Sequence, residues 1–165
     1  MNREQFTELM QRELPRLRKF LLAACGGSRD EADDVAQEAL LKAYTAAVHE
    51  GGFREGTNFP AWLFRIAYNC LLSRQRQWKR RETTDMDALH DVAATDRSDD
   101  AFRYQHLYRA IEDLTMAERT AVLLFYMEGR PIREIAQLTG AREGTVKSLL
   151  SRGREHLRRK LKIES

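Results

Sequence analysis

The sequence predicts an all-α protein: two small helical domains joined by a flexible linker, the C-terminal one a helix-turn-helix. Three observations predict it. Apolar residues recur at intervals of three and four along most of the chain, the spacing of helices with one buried face. Gly and Pro are few, 9 and 3 of 165 residues, while charged residues reach 32%, which favours helices over a turn-rich β fold. No segment alternates apolar and polar residues as a strand does, and residues 82–100 are poor in apolar side chains and rich in Asp and Thr. That stretch is long for a structureless loop inside one domain, so residues 1–81 read as one unit, 82–100 as an acidic flexible linker and 101–165 as the second unit.

The first segment places Phe6, Leu9, Met10, Leu14, Leu17, Phe20, Leu21 and Ala24 at helical spacing. Pro15 is expected to break it in two, with Pro15 in the first turn of the second helix. Gly26-Gly27 ends that stretch, and Ser28 with Glu31 forms a capping box for the next helix. That helix runs to about His49 with Val35, Ala36, Ala39, Leu40, Ala43 and Ala47 on one side. Residues 51–58 read as a loop, and Asn58 or Phe59 caps a helix with Pro60 in its first turn. This helix carries Trp62, Leu63, Ile66, Ala67, Cys70 and Leu71, then turns basic.

The second unit restarts at Phe102, with Leu107, Ala110, Ile111 and Leu114 following. Thr115 and Glu118 form a further capping box. Gly129 stops that helix and Pro131 starts the next, which bears Ile132, Ile135, Ala136 and Leu138. Gly140 marks a turn, and the last helix runs from about Glu143 to Lys162 with Val146, Leu149 or Leu150, and Leu157 inward.

The net charge of +3 hides segregation. Residues 54–81 hold seven Lys/Arg and the single acid Glu55; residues 85–100 hold six Asp and the single base Arg97; residues 141–162 hold eight Lys/Arg against Glu143 and Glu155. Two basic blocks split by an acidic one point to two polyanion-facing surfaces joined by a solvated spacer. Cys25 and Cys70 form no CxxC, so neither a zinc knuckle nor a disulfide framework is indicated, and both are expected to be buried. The polar start of the chain is no signal peptide, and no apolar run approaches the roughly 20 residues of a membrane span. A cytoplasmic protein with no membrane insertion is the expectation.

The strongest local signal lies at residues 131–154: a helix of about eight residues, a tight turn and a longer helix, the pattern that sets a recognition helix in the major groove. Lys147, Ser148, Ser151, Arg152 and Arg154 supply donors for base edges and phosphates. A plain helical hairpin is the alternative, against which the concentration of cations argues. A second constellation spans residues 53–81. Phe53, Phe59, Trp62, Phe64, Tyr68 and Trp78 interleave with bases including Arg65, Arg76, Lys79 and Arg80, the mixture that stacks and holds single strands. Asn69 is placed to read a base that has left the stack. Trp62, Phe64 and Tyr68 also fit a core role; Phe59, at the loop-helix junction, and the cationic run from Arg74 fit it less well. A third constellation is Asp30, Asp34 and Glu38, four apart on one helix face: a solvated acidic face, a docking face for a basic partner, or a divalent-metal site for nuclease chemistry. One helix face seldom closes a metal site by itself, and no metal or cofactor is expected. No GxSxG, HExxH or Walker loop is present, so no catalytic residue is assigned.

Three of these segments resemble one family. Residues 34–44, DVAQEALLKAY, look like the polymerase-binding helix of extracytoplasmic-function (ECF) sigma factors, the smallest group of the sigma-70 family. Residues 59–69, FPAWLFRIAYN, resemble their promoter-melting, −10-reading segment. Residues 143–148, EGTVKS, with 151–154, SRGR, resemble their −35-reading helix. The resemblance implies an alternative sigma factor, not an enzyme, that binds core RNA polymerase, recognises −35 and −10 elements and promotes strand opening. It implies Asp34, Gln37, Glu38 and Leu41 as core-binding residues. It places Asn69 on a flipped base of the non-template strand and the loop 53–59 around that base, and Trp62 and Arg65 on the strand-opening helix. Lys147, Ser148, Ser151 and Arg152 fall on its −35 face. It also implies an anti-sigma factor as partner. Arg142 departs from the family's usual capping Ser, Leu149 from a frequent Arg, and Gly153 is expected to weaken its helix by about 1 kcal/mol against Ala. The rival readings are an autonomous helix-turn-helix regulator, which leaves residues 62–81 unused, and a metal-dependent nuclease built on Asp30, Asp34 and Glu38.

Overall fold

In a computed structural model of the chain, residues 1–54, 56–84 and 99–161 are described, and every regular element among them is helical. Helix α1 (Arg3–Ala24) starts in a reciprocal capping box: the Asn2 side chain accepts from the Gln5 N–H and the Gln5 side chain from the Asn2 N–H. The break expected at Pro15 does not occur; α1 runs through it. Pro15 and Gln11, whose carbonyl loses its usual donor there, are both on the exposed side. Along the other side Phe6, Met10, Leu17, Phe20 and Leu21 are buried without interruption. Each large apolar side chain contributes about 1.5–3 kcal/mol, which together outweighs the roughly 3 kcal/mol that an interior proline costs.

Helix α2 (Arg29–Tyr44) begins at Ser28, whose hydroxyl accepts from the Glu31 N–H. It continues as a π-helical turn over Thr45–His49. Helix α3 (Phe59–Thr84) is capped by Asn58, whose side-chain oxygen accepts from the Ala61 N–H at 3.2 Å. Helix α4 is Asp99–Glu112. The helices flanking the linker therefore take residues 82–84 and 99–100, and the rest of the linker lies outside the described residues.

Helix α5 (Met116–Val122) opens with the expected Thr115–Glu118 box and also runs into a π-helical turn, Leu123–Met127. Helix α6 (Ile132–Thr139) has Pro131 as its extended N-cap, where it was expected to be the first helical residue. Gly140 at φ +78° makes the turn, a conformation that side chains with a Cβ disfavour. Helix α7 (Glu143–Leu161) completes the helix-turn-helix.

Helices α1, α2 and α3 bury Leu17, Phe20, Val35, Ala39, Leu63, Phe64 and Leu71, while α5, α6 and α7 bury Ala121, Ile135, Val146 and Leu150. These side chains join in one cluster, so the halves lie against each other. Cys25 and Cys70 are buried free thiols, as expected. Burial pushes the Cys25 thiol up to about 12, helped by nearby Glu31, which keeps it protonated and unreactive. Among the described residues no helix is long and apolar enough to cross a membrane.

Candidate nucleic-acid interface

A helix advances about 100° per residue, and that step decides what α7 shows to solvent. Val146, Leu150 and Gly153 are buried, within about 60° of one another on the helical wheel. Lys147, Ser148, Ser151, Arg152 and Arg154 are all exposed and occupy a separate arc of about 160°. Ser148, Ser151 and Arg152 line a shallow depression. Leu150 is the inward residue of the Leu149–Leu150 pair, with Leu149 half-buried. Tyr126, an exposed aromatic, was not singled out by sequence; its hydroxyl lies 3.2 Å from Arg154 Nη1. The surface is continuous, cationic and hydroxyl-bearing, the chemistry that duplex DNA requires.

Helix α3 carries the second set. Trp62, Arg65, Asn69, Arg76 and Arg80 fall within an arc of about 60°, with Trp62 half-buried and the four polar residues exposed. Lys79 is exposed on the flank of this stripe. Leu63, Phe64, Cys70 and Leu71 occupy the opposite side and are buried. Phe53 and Phe59 depart from expectation. Both were expected to face DNA, and both are buried. They stand edge-on to each other at 5.4 Å, with Trp62 at 5.1 and 5.7 Å and Phe6 at 6.2 Å from Phe59. A ring enclosed by other rings has no face left for a base; these two brace Trp62 instead.

The acidic face of α2 is divided. Asp30, Asp34 and Gln37 are exposed, and Leu41 beside them is 68% exposed, unusual for a large apolar side chain. Glu38 is half-buried and occupied: Arg74 of α3 donates to it at 2.9 Å and Lys42 lies at 3.2 Å. The Arg74 hydrogen bond, followed by Lys42, holds the Glu38 carboxyl below its usual range. Arg74, first residue of the expected cationic run, thus ties α3 to α2. Glu38 already has its counter-charges, and among the described residues no cluster of three His, Cys, Asp or Glu is placed to hold a metal.

Sequence reasoning missed the residues between the halves. Arg119 is buried and donates to four backbone carbonyls: Ala24 at 2.5 Å, Glu112 at 2.6 Å, Ile111 at 3.1 Å and Leu114 at 3.2 Å. Arg130 is buried with its guanidinium 4.7 Å from the centre of the Phe64 ring. The Arg119–Ala24 and Arg130–Phe64 contacts are long-range, and nothing local announces them.

Residues 9–82 match the family described as Sigma-70 region 2, and residues 104–157 the one described as Sigma-70, region 4. The ECF RNA polymerase sigma factor SigM of Mycobacterium tuberculosis is 34% identical over 160 residues, covering 97% of this chain and 79% of its own. The ECF RNA polymerase sigma factor EcfG of Rhodopseudomonas palustris is 32% identical over 146 residues, 87% of this chain and 78% of its own. Among solved structures, the sigma factor RpoE of Bartonella quintana, in complex with the anti-sigma factor NepR, superposes with a TM-score of 0.80 at 28% identity. That match covers 98% of this chain and 99% of the other.

Proposed function

The chain belongs to the sigma-70 family, as an ECF-type RNA polymerase sigma factor, and from that premise we propose how its surfaces divide the work. The observation that carries the division is the pair of exposed cationic stripes, one on α3 and one on α7, with an acidic, leucine-bearing face on α2. Residues 1–81 act as the polymerase-binding and −10-reading unit and residues 101–165 as the −35-reading unit.

On α7, Lys147 and Arg154 anchor phosphates while Ser148, Ser151 and Arg152 reach base edges in the major groove. On α3, Trp62 wedges at the edge of the duplex, Asn69 takes a flipped base of the non-template strand, and Arg65, Arg76, Lys79 and Arg80 hold its backbone. Phe53 and Phe59 act behind Trp62, fixing its ring. Asp34, Gln37 and Leu41 bind core RNA polymerase, with Glu38 stiffened by Arg74 as their support. Strand opening draws on binding alone, so the protein is an initiation factor and not an enzyme. It works in the cytoplasm, where polymerase and promoter meet. An anti-sigma factor is a fitting partner, since a solved structural relative matching 98% of this chain is held by one. The autonomous-regulator reading leaves the α3 stripe without a task.

The test is transcription in vitro with core polymerase and genomic promoter fragments; no initiation on any fragment would sink the proposal. Two substitutions sharpen it. Arg152→Ala is expected to weaken promoter binding by about 1–3 kcal/mol, measured by band shift with holoenzyme at fixed salt. Unchanged affinity removes Arg152 from the contact set. Leu41→Asp is expected to weaken core-polymerase binding about tenfold or more, since burying a leucine is worth about 1.5–3 kcal/mol. It leaves the fold intact because Leu41 is exposed. Full retention on immobilised core polymerase would count against this face.

A further inference from the structure

Among the described side chains Tyr126 is the one exposed aromatic, at 55%. A tyrosine ring is a large apolar body with a polar tip, and packing usually covers the body. Tyr126 lies in the π-helical turn Leu123–Met127, closed by a 3.1 Å bond from the Glu128 N–H to the Leu123 carbonyl. An extra residue in a turn re-aims the side chains around it, and such turns recur at functional sites. Val122, four residues earlier, lies against Gly153 of α7. Tyr126 reaches the next residue of α7, Arg154.

Chemistry fixes the direction of the bond between them. A guanidinium has N–H donors and no acceptor, so Arg154 Nη1 donates, at 3.2 Å, and the Tyr126 hydroxyl accepts. That leaves the phenolic hydrogen to donate outward. The charge of Arg154 is left over as well. Further along the same helix Arg158 and Arg159 pair with Glu155, and Lys160 pairs with Asp113. The bonded partner of Arg154 is instead a neutral hydroxyl. Arg154 stands seven residues beyond Lys147, nearly two full turns, and so lies about 20° from it at the edge of the exposed arc. Tyr126 continues that edge from a different helix.

We infer that Tyr126 and Arg154 form a single phosphodiester site, in which the tyrosine hydroxyl accepts from the guanidinium and donates to a non-bridging oxygen of the phosphate that Arg154 holds. The ligand is the backbone of duplex DNA. A phosphodiester carries one negative charge shared by two oxygens, and one cation with a neutral donor beside it answers both; tyrosine is among the side chains that make such contacts. A phosphate gripped from the wide turn after α5 as well as from α7 is held by two elements. That grip sets the tilt of α7 in the groove and carries no base information of its own. Tyr126 is a positioning residue for Arg154 and a donor in its own right. The inference rests on the −35-reading role proposed above, and one arm of its test does not need polymerase.

Tyr126→Phe deletes one oxygen and keeps the ring, so it isolates the hydroxyl. The first arm measures the full chain alone on a duplex of scrambled sequence at low salt, where phosphate contacts dominate binding. Tyr126→Phe is expected to weaken that binding about fivefold, and by less than about twofold when Arg154→Ala is already present, because the two side chains act on one phosphate. The second arm measures holoenzyme, full chain with core polymerase, on a promoter fragment. The same loss of about fivefold is expected there, since a phosphate contact counts alike on every sequence. Single methylphosphonates, each replacing one phosphate oxygen by a methyl group, then locate the site. At one phosphate beside the −35 element the penalty for this replacement is expected to be about fivefold smaller in Tyr126→Phe than in the wild type. At the other positions the two proteins should agree. Wild-type affinity in Tyr126→Phe overturns the proposal, and so does a loss confined to the −35 sequence. Methylphosphonate penalties equal in the two proteins at every position mean that Tyr126 only props α7, and also overturn it. Failure of the sigma-factor reading shows itself separately, as a wild-type holoenzyme that initiates on no fragment, and the polymerase-free arm still decides the Tyr126 site.

Discussion

Arg119→Ala is expected to lower the free energy of unfolding by about 3–5 kcal/mol, more than any exposed substitution in the cationic stripes of α3 and α7. The reason is the number of acceptors one side chain serves. Helix α1 ends at Ala24 and α4 at Glu112, and the last carbonyls of a helix have no intrahelical donor and carry the negative end of its dipole. Arg119 supplies five N–H groups in a planar fork and sets them against Ala24, Ile111, Glu112 and Leu114. Burial lowers its pKa, opposed chiefly by Glu112. Alanine strips the donor from buried carbonyls at about 1–3 kcal/mol for each one left without water. Arg119→Lys keeps the charge but not the fork, and is expected to fall between wild type and alanine. Urea or guanidinium midpoints measure both; a loss below about 1 kcal/mol for alanine would mean that water replaces the guanidinium at little cost.

Arg119 also shows where sequence stops being readable. The 3.6-residue period and the capping residues are local, so the exposed arc of α7, the Thr115–Glu118 box and the Asn58 cap were all legible. The Pro15 rule is equally local and it failed, because the continuous apolar face of α1 is fixed by what α2 and α3 lay against it. Phe53 and Phe59 looked like stacking residues because they border a basic helix. Phe6 of α1 meets Phe59, and Tyr44 of α2 meets Phe6 in turn, so the ring cluster is closed from other helices. Arg74 looked like one cation of a run until α2 brought Glu38 to it. Each of these errors concerns a partner chosen by tertiary packing, and none of them changes the helices themselves. The exposed arcs of α3 and α7 and the exposed residues of α2 were readable because exposed faces need no partner within the chain; the contacts between the halves were not.

Gly153 is the case in which the local rule predicts the wrong sign. Within a solvated helix, Gly→Ala is expected to stabilise by about 1 kcal/mol. Here an added Cβ would sit 2.7 Å from Val122 Cγ2 and 3.8 Å from Glu118 Cβ. The first distance is well inside van der Waals contact, and Val122 is itself buried. A valine in a helix has essentially one χ1 rotamer, so its methyl group does not swing away. Either α5 and α7 part by more than half an ångström or Val122 leaves its well, and overpacking of this kind costs about 1–3 kcal/mol. Gly153→Ala is therefore expected to destabilise by about 1–2 kcal/mol net. It also moves Arg152 and Arg154, the neighbours of Gly153 on the exposed arc, so −35 duplex affinity falls with stability. The double substitution Gly153→Ala with Val122→Ala removes the collision, and its loss is expected to be smaller than the sum of the two single losses by more than about 0.5 kcal/mol. An increase in the unfolding midpoint for Gly153→Ala alone would show that the helices separate freely and that close approach is not why glycine stands there. With the predicted sign, the glycine that weakens α7 in isolation is what lets α7 lie close enough to α5 for its cationic face to be held in one orientation.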